Sequence, residues 1–332
     1  MNKTEKIEYI GEGIDRLITL DLRARGVIYR LYEAARKLIN NRPLALTAAR
    51  RITDTVDAGD YVIITTGFIL PPNYVQESDG PPGAIALARA LNLAFKARPI
   101  LIIEEKSKEI LLAALNAAGM RNVAIEKLAK KYAEHAVAIM SFPFEFDKAE
   151  EKAEEILKKY NPSLIIAIEK PGKNSKGEYH TMKGLNISRF HMKIEPLIDK
   201  ANRQGVLTIG IGDGGNEIGM GNIRDTVEKY VPYAKVCQCP CKGGIAAESK
   251  VGLLVTASIS NWGAYGIEAC IEAITEKKGI LHGPQLEEAV LKSLFEAGAV
   301  DGASCQNKPL VDGIPHQIHS SIINMLKILI ST

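Results

Sequence analysis

Val206-Leu-Thr-Ile-Gly210-Ile-Gly212-Asp213-Gly214-Gly215-Asn216-Glu217-Ile-Gly219-Met-Gly221-Asn222 runs from an apolar stretch of strand length into a turn with six glycines in its last thirteen residues. A short apolar run bounded by turn residues reads as a buried strand. Glycine lacks a Cβ, so the backbone beyond that strand can turn sharply or approach a ligand closely. Two carboxylates and an amide, Asp213, Glu217 and Asn216, sit inside this permissive loop. An ordinary connection does not need so many glycines around two acids. A buried strand feeding a glycine loop is the working end of a parallel α/β sheet.

Outward from this strand, Val206–Ile211, six more apolar runs repeat the pattern. They are Tyr61–Thr65, Pro99–Ile103, Asn122–Ile125, Ala136–Met140, Leu164–Ile168 and Leu253–Ser258. Helical spacing separates most of them, at Gly83–Ala97, Lys106–Ala118, Asp147–Lys159 and Ile194–Arg203. It continues at Gly263–Glu276, Pro284–Glu296 and Pro315–Ile330. Buried strands alternating with helices predict a three-layer α/β fold: a mainly parallel sheet with helices on both faces. Residues 12–40 carry apolar side chains at helical spacing, and Pro43 opens another helix reaching about Val56. The expected organisation is an N-terminal helical extension, 1–58, packed on a single α/β catalytic domain, 59–332.

Composition narrows the function. Hydrophobic residues are 46% and charged residues 24% of 332, as in soluble globular enzymes. A net charge of +3 and 6% aromatics supply neither a basic patch nor a stacking surface, so no nucleic-acid partner is expected. No apolar run approaches the about eighteen residues of a membrane span, so no membrane role is expected. The first residues, Met-Asn-Lys-Thr-Glu-Lys-Ile-Glu, lack an apolar signal core. Five cysteines, three of them in Cys237-Gln-Cys239-Pro-Cys241, do not form a secreted disulfide framework. A cytoplasmic, reducing compartment is the expectation. C-x-C-x-C lacks the two-residue spacing and second ligand pair of familiar zinc sites, so these thiols read as buried or incidental. His180, His191, His282, His316 and His319 show no metal-protease spacing either.

Ligands of open parallel sheets bind beyond the carboxyl ends of the strands. Five of those ends carry polar groups: Thr65-Thr66-Gly67, Glu104-Glu105, Glu169-Lys170, the Asp213–Glu217 loop and Ser260-Asn261-Trp262-Gly263. One polar strand end is ordinary surface; five on one sheet point to a site. Glu77-Ser78-Asp79-Gly80-Pro81-Pro82-Gly83 leads into a helix that Ser78 or Asp79 is suited to cap, and reads equally as a rigid wall carrying Glu77 and Asp79. Ser260 or Asn261 is suited to cap the helix that follows, whose free N–H groups would favour an anion. Trp262, the single tryptophan, reads both as core and as ligand wall. Lys170, Lys173, Lys183 and Arg189 lie in an aperiodic segment reaching about Ser188, a surface loop or a lid, and are candidate partners of a substrate carboxylate.

Gly210, Gly212 and Gly215 also spell G-x-G-x-x-G, so a nucleotide-dependent enzyme is the main alternative. Asp213 within the turn and Glu217 just beyond it would repel the pyrophosphate that such a loop receives. No G-K-[ST] follows, which excludes a P-loop. Carboxylates in so tight a backbone suit a substrate ammonium, a divalent cation or acid–base chemistry.

Taken together, GDGGNEIGMGN, ESDGPPGA, IEKPGK, SNWGAYG and Val311-Asp-Gly-Ile-Pro-His316 resemble the motifs of the D-glutamate cyclase family, from roughly Asp60 to the C-terminus. The family pattern carries Thr at Ser78 and Arg at Lys170 and Lys173; lysine keeps the charge but loses the bidentate fork. The resemblance implies a hydro-lyase that converts D-glutamate, a small amino-acid partner, to 5-oxo-D-proline and water without a nucleotide cofactor. Such a reaction needs a base for the ammonium, donors for an oxyanion and a proton for the leaving oxygen. On those chemical grounds Asp213 and Glu217 are the expected catalytic acids, with Glu169 as the alternate base. Ser78, Asp79, Gly214, Gly215, Asn216, Lys170, Ser260, Asn261 and Trp262 are the expected substrate-binding residues. The sequence requires no cofactor, and a divalent metal, if present, falls to Asp213 and Glu217. A non-catalytic amino-acid-binding protein is the further alternative, and a homo-oligomer is compatible with the sequence.

Overall fold

The computed structural model describes residues 2–130 and 133–331. In chain order its strands are β1 (Tyr61–Thr66), β2 (Ile69–Leu70), β3 (Val75–Gln76), β4 (Arg98–Ile102), β5 (Arg121–Asn122), β6 (Ala136–Met140), β7 (Leu164–Ile168), β8 (Leu207–Gly212), β9 (Leu253–Thr256), β10 (Leu310–Val311) and β11 (Ile314–Pro315). The helices are α1 (Lys3–Ile18), α2 (Val27–Leu38), α3 (Leu44–Thr55), α4 (Pro81–Phe95), α5 (Lys108–Ala117), α6 (Ile125–Lys130), α7 (Phe146–Tyr160), α8 (Glu195–Arg203), α9 (Arg224–Tyr230), α10 (Ser260–Thr275), α11 (Pro284–Glu296) and α12 (His316–Ser331).

Seven strands form one sheet, in the order β5-β6-β4-β1-β7-β8-β9. Six match the expected runs, while the run expected at Asn122–Ile125 supplies only the end of the two-residue β5, and Ile125 opens α6. Every pairing in it is parallel. Its centre is isoleucine-rich: Ile63 is flanked by Ile100 and Ile165, and Ile166 by Ile64 and Ile209. None of these side chains reaches solvent. A sheet covered on both faces has no polar side, which is why the strands read as continuous apolar runs rather than alternations.

From β1 the chain moves outward through β4, then returns to β7 on the other side of β1 and continues to β8 and β9. Right-handed crossovers in opposite directions place α4 and α8 on opposite faces of the sheet. Helices α10 and α3 pack together, with α10 also on α4, while α7 packs on α8. This is the expected three-layer arrangement. The reversal at β1 and β7 opens a crevice at their carboxyl ends, where ligands of such sheets bind.

Helices α1 and α3 pack on α10, and α2 packs on β9 and α9. Asp15, fully buried on α1, joins the three. It accepts hydrogen bonds from Leu44 and Ala45 N (2.5 and 3.0 Å) at the start of α3 and from the Tyr32 hydroxyl of α2 (3.0 Å). Pro43, at the N-cap of α3, makes no side-chain cap, so a carboxylate from another helix takes over the first turn. The apolar pattern over 12–40 resolves into two helices separated by residues 19–26. Gly26 adopts φ +73° there and its N–H donates to Asp21. Two short hairpins, β2–β3 and β10–β11, are too brief to show a period in sequence. Among the described residues, no helix is long and apolar enough to cross a membrane.

Candidate active site

A cavity of about 490 Å³ lies beyond the carboxyl ends of β1, β7 and β8. That volume is ample for a small polar metabolite. Four acids line it: Glu77 from the connection between β1 and α4, Glu169 directly after β7, Asp213 directly after β8, and Asp312 from the β10–β11 turn. Arg23 and Arg25 from the break between α1 and α2, with Lys183, supply cations to the same cavity. Arg25 Nη2 stands 3.6 Å from Asp213 Oδ2, and Arg23 Nη1 stands 3.5 Å from Asp312 Oδ2.

Crowding raises the pKa values of these acids. Burial, then the neighbouring Glu217 and Asp213, push Glu169 well above the usual carboxylate range. Burial, then Asp312 and Glu217, do the same to Asp213, opposed by Arg25. Burial, then Asp312 and Asp79, raise Glu77, whose buried Oε1 lacks a hydrogen-bond partner among the described residues. Displaced carboxyl pKa values in a cleft mark a candidate acid–base site. Glu169 also adopts φ +42°. Its Oε2 accepts a 2.5 Å hydrogen bond from the Ser260 hydroxyl.

The glycine loop is occupied from within. Glu217, fully buried, turns its carboxylate back onto the loop's own N–H groups. Oε1 accepts from Asp213 N (3.0 Å) and Gly214 N (2.7 Å), and Oε2 from Gly215 N (2.6 Å). Gly215 adopts φ +117° beneath Val227, a conformation that disfavours side chains. The N–H groups that would receive a phosphate in the nucleotide alternative are therefore filled by Glu217, one of the expected catalytic acids.

A second rearrangement exchanges the helix caps. Asp79, expected to cap α4, caps α10: Oδ2 accepts from Ser260 N and Oδ1 from Asn261 N, both at 2.9 Å. Asn261, expected to cap α10, caps α4: its Oδ1 accepts from Gly80 N (3.0 Å) and Gly83 N (2.8 Å). Burial and Asp312 push Asp79 up to about 8, against the pull of its three backbone donors. With Trp262 N and Gly263 N both bonded to Ile259 O, the first turn of α10 has no donor left for a substrate anion. Replacing Asn261 with Ala strips the buried Gly83 N–H of its acceptor and leaves Gly80 N with Asp79 Oδ1 alone. The expected loss is about 1–2 kcal/mol, read as a lower denaturant midpoint.

Other expected binding residues stand away from the cavity. Trp262 is fully buried and donates from Nε1 to His319 Nδ1 at 2.9 Å, so it is core. Ser78 donates to Leu310 O at 2.9 Å and fixes the β10–β11 hairpin. Ser260 reaches the cavity only through Glu169. Lys170 is 1% exposed and points beneath the site, 2.5 Å from Glu104. There, despite burial, Lys170 and His191 hold Glu104 down at about 2. His191 accepts from Ile69 N through Nε2 (3.2 Å), so Nδ1 donates to Glu104 (3.1 Å). Lys173 lies over the Phe146 ring and Arg189 over Phe190. Of the four cations expected to meet a carboxylate, Lys183 lines the cavity.

Asn216 and Gly214 do reach the concave surface, Gly214 in an adjoining pocket that shares Asp213 and Arg25. The Asn216 amide nitrogen donates to the His180 carbonyl at 2.7 Å, while its buried Oδ1 has no partner among the described residues. Carboxyl oxygens of Glu169, Asp213 and Glu217 come within 4.8 Å of one another, as do those of Asp79, Asp213 and Asp312. A larger groove of about 910 Å³ between α2 and α9 is lined by exposed charges such as Arg30, Glu33 and Lys229. It lacks the buried titratable groups of a reaction centre.

Arg23 and Arg25 carry no signal in the sequence, because they sit in what reads as helix. Asp312 is visible only as part of the Val311–His316 motif, with no role assigned to it.

The sequence matches the family described as D-glutamate cyclase-like, C-terminal, over residues 14–327. It is similar to "D-glutamate cyclase, mitochondrial" of Homo sapiens, with 26% identity over 301 residues. That alignment covers 80% of this chain and 45% of the human protein, so the chain spans about half the length of this relative. With a family match along nearly its whole length, the chain belongs to the D-glutamate cyclase-like C-terminal family.

Proposed function

We propose that the protein is a hydro-lyase that cyclises D-glutamate to 5-oxo-D-proline and water. The observation that carries this reading is the meeting of Glu169 and Asp213 with Arg23, Arg25 and Lys183 in one cavity. A cavity lined by both acids and cations suits a molecule with one ammonium and two carboxylates. The relative's name adds glutamate as the substrate.

Cyclisation joins the amine nitrogen to the distal carboxyl carbon and breaks a carbon–oxygen bond. Two protons leave nitrogen, two reach the departing oxygen, and none is exchanged with solvent. Asp213, beside Arg25, takes the first proton from the ammonium. Glu169, kept protonated by burial and by its neighbours, gives one to the leaving oxygen. Each of the two protons takes this route in turn: nitrogen to Asp213, Asp213 to Glu169 across a gap of at most 4.8 Å that one bridging water spans, and Glu169 to the departing oxygen, so the pair ends as it began. Arg25, Arg23 and Lys183 hold the carboxylates, folding the chain back so that nitrogen faces carbon. Glu217 keeps the loop in shape and stays outside the proton path.

The active form carries one proton on the pair. Below the lower macroscopic pKa, Asp213 is protonated and cannot accept; above the upper one, Glu169 is ionised and cannot donate. Because both groups are raised, kcat/KM should be bell-shaped with its acid limb above the ordinary carboxylate range. The decisive assay incubates purified protein with D- or L-glutamate and follows 5-oxoproline by mass across pH. Formation from D-glutamate with that profile is expected. Saturable D-glutamate binding without product would make this an amino-acid-binding protein, and saturable ATP or NAD binding would restore the nucleotide reading.

The clustered oxygens of Glu169, Asp213 and Glu217 favour one variant, a divalent cation that neutralises the acids. Activity lost to a chelator and regained with magnesium or manganese would establish it.

A further inference from the structure

Three sulfurs and an imidazole meet beside the cavity. Cys237, Cys239 and Cys241 belong to the turn after α9, and His180 to the segment after β7. Cys237 Sγ stands 3.5 Å from Cys239 Sγ and 3.3 Å from Cys241 Sγ. His180 Nε2 stands 3.1 Å from Cys239 Sγ and 3.6 Å from Cys241 Sγ. One ligand atom from each of the four residues falls within 4.8 Å of all the others. Tetrahedral zinc, with Zn–S near 2.3 Å and Zn–N near 2.0 Å, separates its ligands by about 3.5–3.8 Å. The four Sγ–Sγ and Nε2–Sγ distances lie within about 0.5 Å of those edges, and the two remaining edges are no longer than 4.8 Å.

The sulfurs are well beyond the about 2.05 Å of a disulfide, and all three cysteines are free. Gly243 N donates to Cys241 Sγ at 3.4 Å and Asn174 Nδ2 approaches it at 3.7 Å. Such donors orient a thiolate and tune it as a ligand. His180 and Cys237 are buried, so the cluster is not a chance meeting of surface groups. The reading of these thiols as buried or incidental takes no account of His180, a fourth candidate ligand 59 residues from Cys239 and outside any local motif.

We propose that His180, Cys237, Cys239 and Cys241 form a structural zinc site holding one Zn²⁺ per chain. Three thiols release their protons to solvent on binding, the neutral imidazole coordinates through Nε2, and no redox step is involved. Four protein ligands close the coordination shell, which marks a structural rather than a hydrolytic zinc. A sulfur-rich donor set selects zinc over magnesium or calcium. The metal clamps the segment after β7 onto the turn after α9, a contact now supported by a 3.1 Å hydrogen bond from Gln238 N to Gly184 O. The clamped segment carries Thr181, Met182 and Lys183 into the cavity wall. The His180 carbonyl also fixes Asn216. The zinc site therefore shapes the cavity without touching what it holds.

Elemental analysis of the full chain, prepared with zinc and dialysed exhaustively, should give about one zinc per chain. Cys239→Ser should lose most of it, whereas Cys270→Ser, at a buried thiol elsewhere, should retain it. Cobalt exchange should give thiolate charge-transfer absorption and the visible bands of a tetrahedral site. Chelation should open residues 174–190 to limited proteolysis. Folded wild-type protein without metal, zinc unchanged in Cys239→Ser, or an intact mass showing a Cys237–Cys241 disulfide would each overturn the proposal. Should Cys239→Ser not fold, wild-type stoichiometry and the cobalt spectrum decide alone.

Discussion

Asp213→Asn should lower kcat for 5-oxoproline formation by about 100- to 10,000-fold, the range expected for removing a positioned acid–base group. The same variant should be no less stable than the parent. Asparagine keeps the shape but cannot accept the ammonium proton. Stability follows from the surroundings of Asp213: burial, Asp312 and Glu217 all disfavour its charge, and Arg25 at 3.6 Å is the favourable partner. A carboxyl whose pKa is raised by folding binds more protons folded than unfolded between its two pKa values. Stability therefore falls as pH rises from the ordinary Asp value, about 3.9, through the raised one. An amide at this position does not titrate and is free of that fall, so the variant's denaturant midpoint should match the parent's near pH 4 and equal or exceed it at pH 8. Retained turnover in Asp213→Asn, or a loss of turnover that tracks unfolding, would remove Asp213 from the proton path. Arg25→Ala makes the control, because losing a carboxylate partner should raise KM more than it lowers kcat.

Reading this chain from sequence succeeds where the physics is local. The strands show themselves because a sheet buried on both faces needs unbroken apolar runs, and Ile63, Ile165 and Ile209 supply them. The acids at the strand ends show themselves because glycines mark the backbone that presents them. What local pattern cannot carry is pairing at a distance. Asp79 and Asn261 look like caps and are caps, but each serves the other's helix across 181 or 182 residues. Lys170 looks like a free cation in a loop, yet its stem crosses beneath the site to the buried Glu104. Arg25 reads as one more polar residue on a helix, and becomes a site residue because the helix breaks at 19–26. His180 follows the same rule, since nothing near it in sequence announces three sulfurs.

Glu217→Gln should separate scaffold from chemistry at the glycine loop. The wild-type carboxylate holds three N–H groups at 2.6–3.0 Å in a fully buried turn. Glutamine offers one carbonyl oxygen, enough for the donors of Asp213 and Gly214. Its amide then sets N–H against the N–H of Gly215. Losing charge-assisted bonds and stranding a buried donor should cost about 3 kcal/mol, seen as a clear drop in denaturant midpoint. Turnover should fall with it, because Asp213 is carried on the same loop. Glu217→Asp, which keeps the charge on a shorter stem, should recover part of both. The contrast with Asp213→Asn is the test: one variant loses activity and keeps stability, the other loses both together. A Glu217→Gln protein with wild-type stability and no turnover would instead return this residue to the chemistry. Otherwise the G-x-G-x-x-G spelling has a physical meaning after all. The turn is built to receive an anion at its N–H groups, and the anion it receives is a side chain of the same loop.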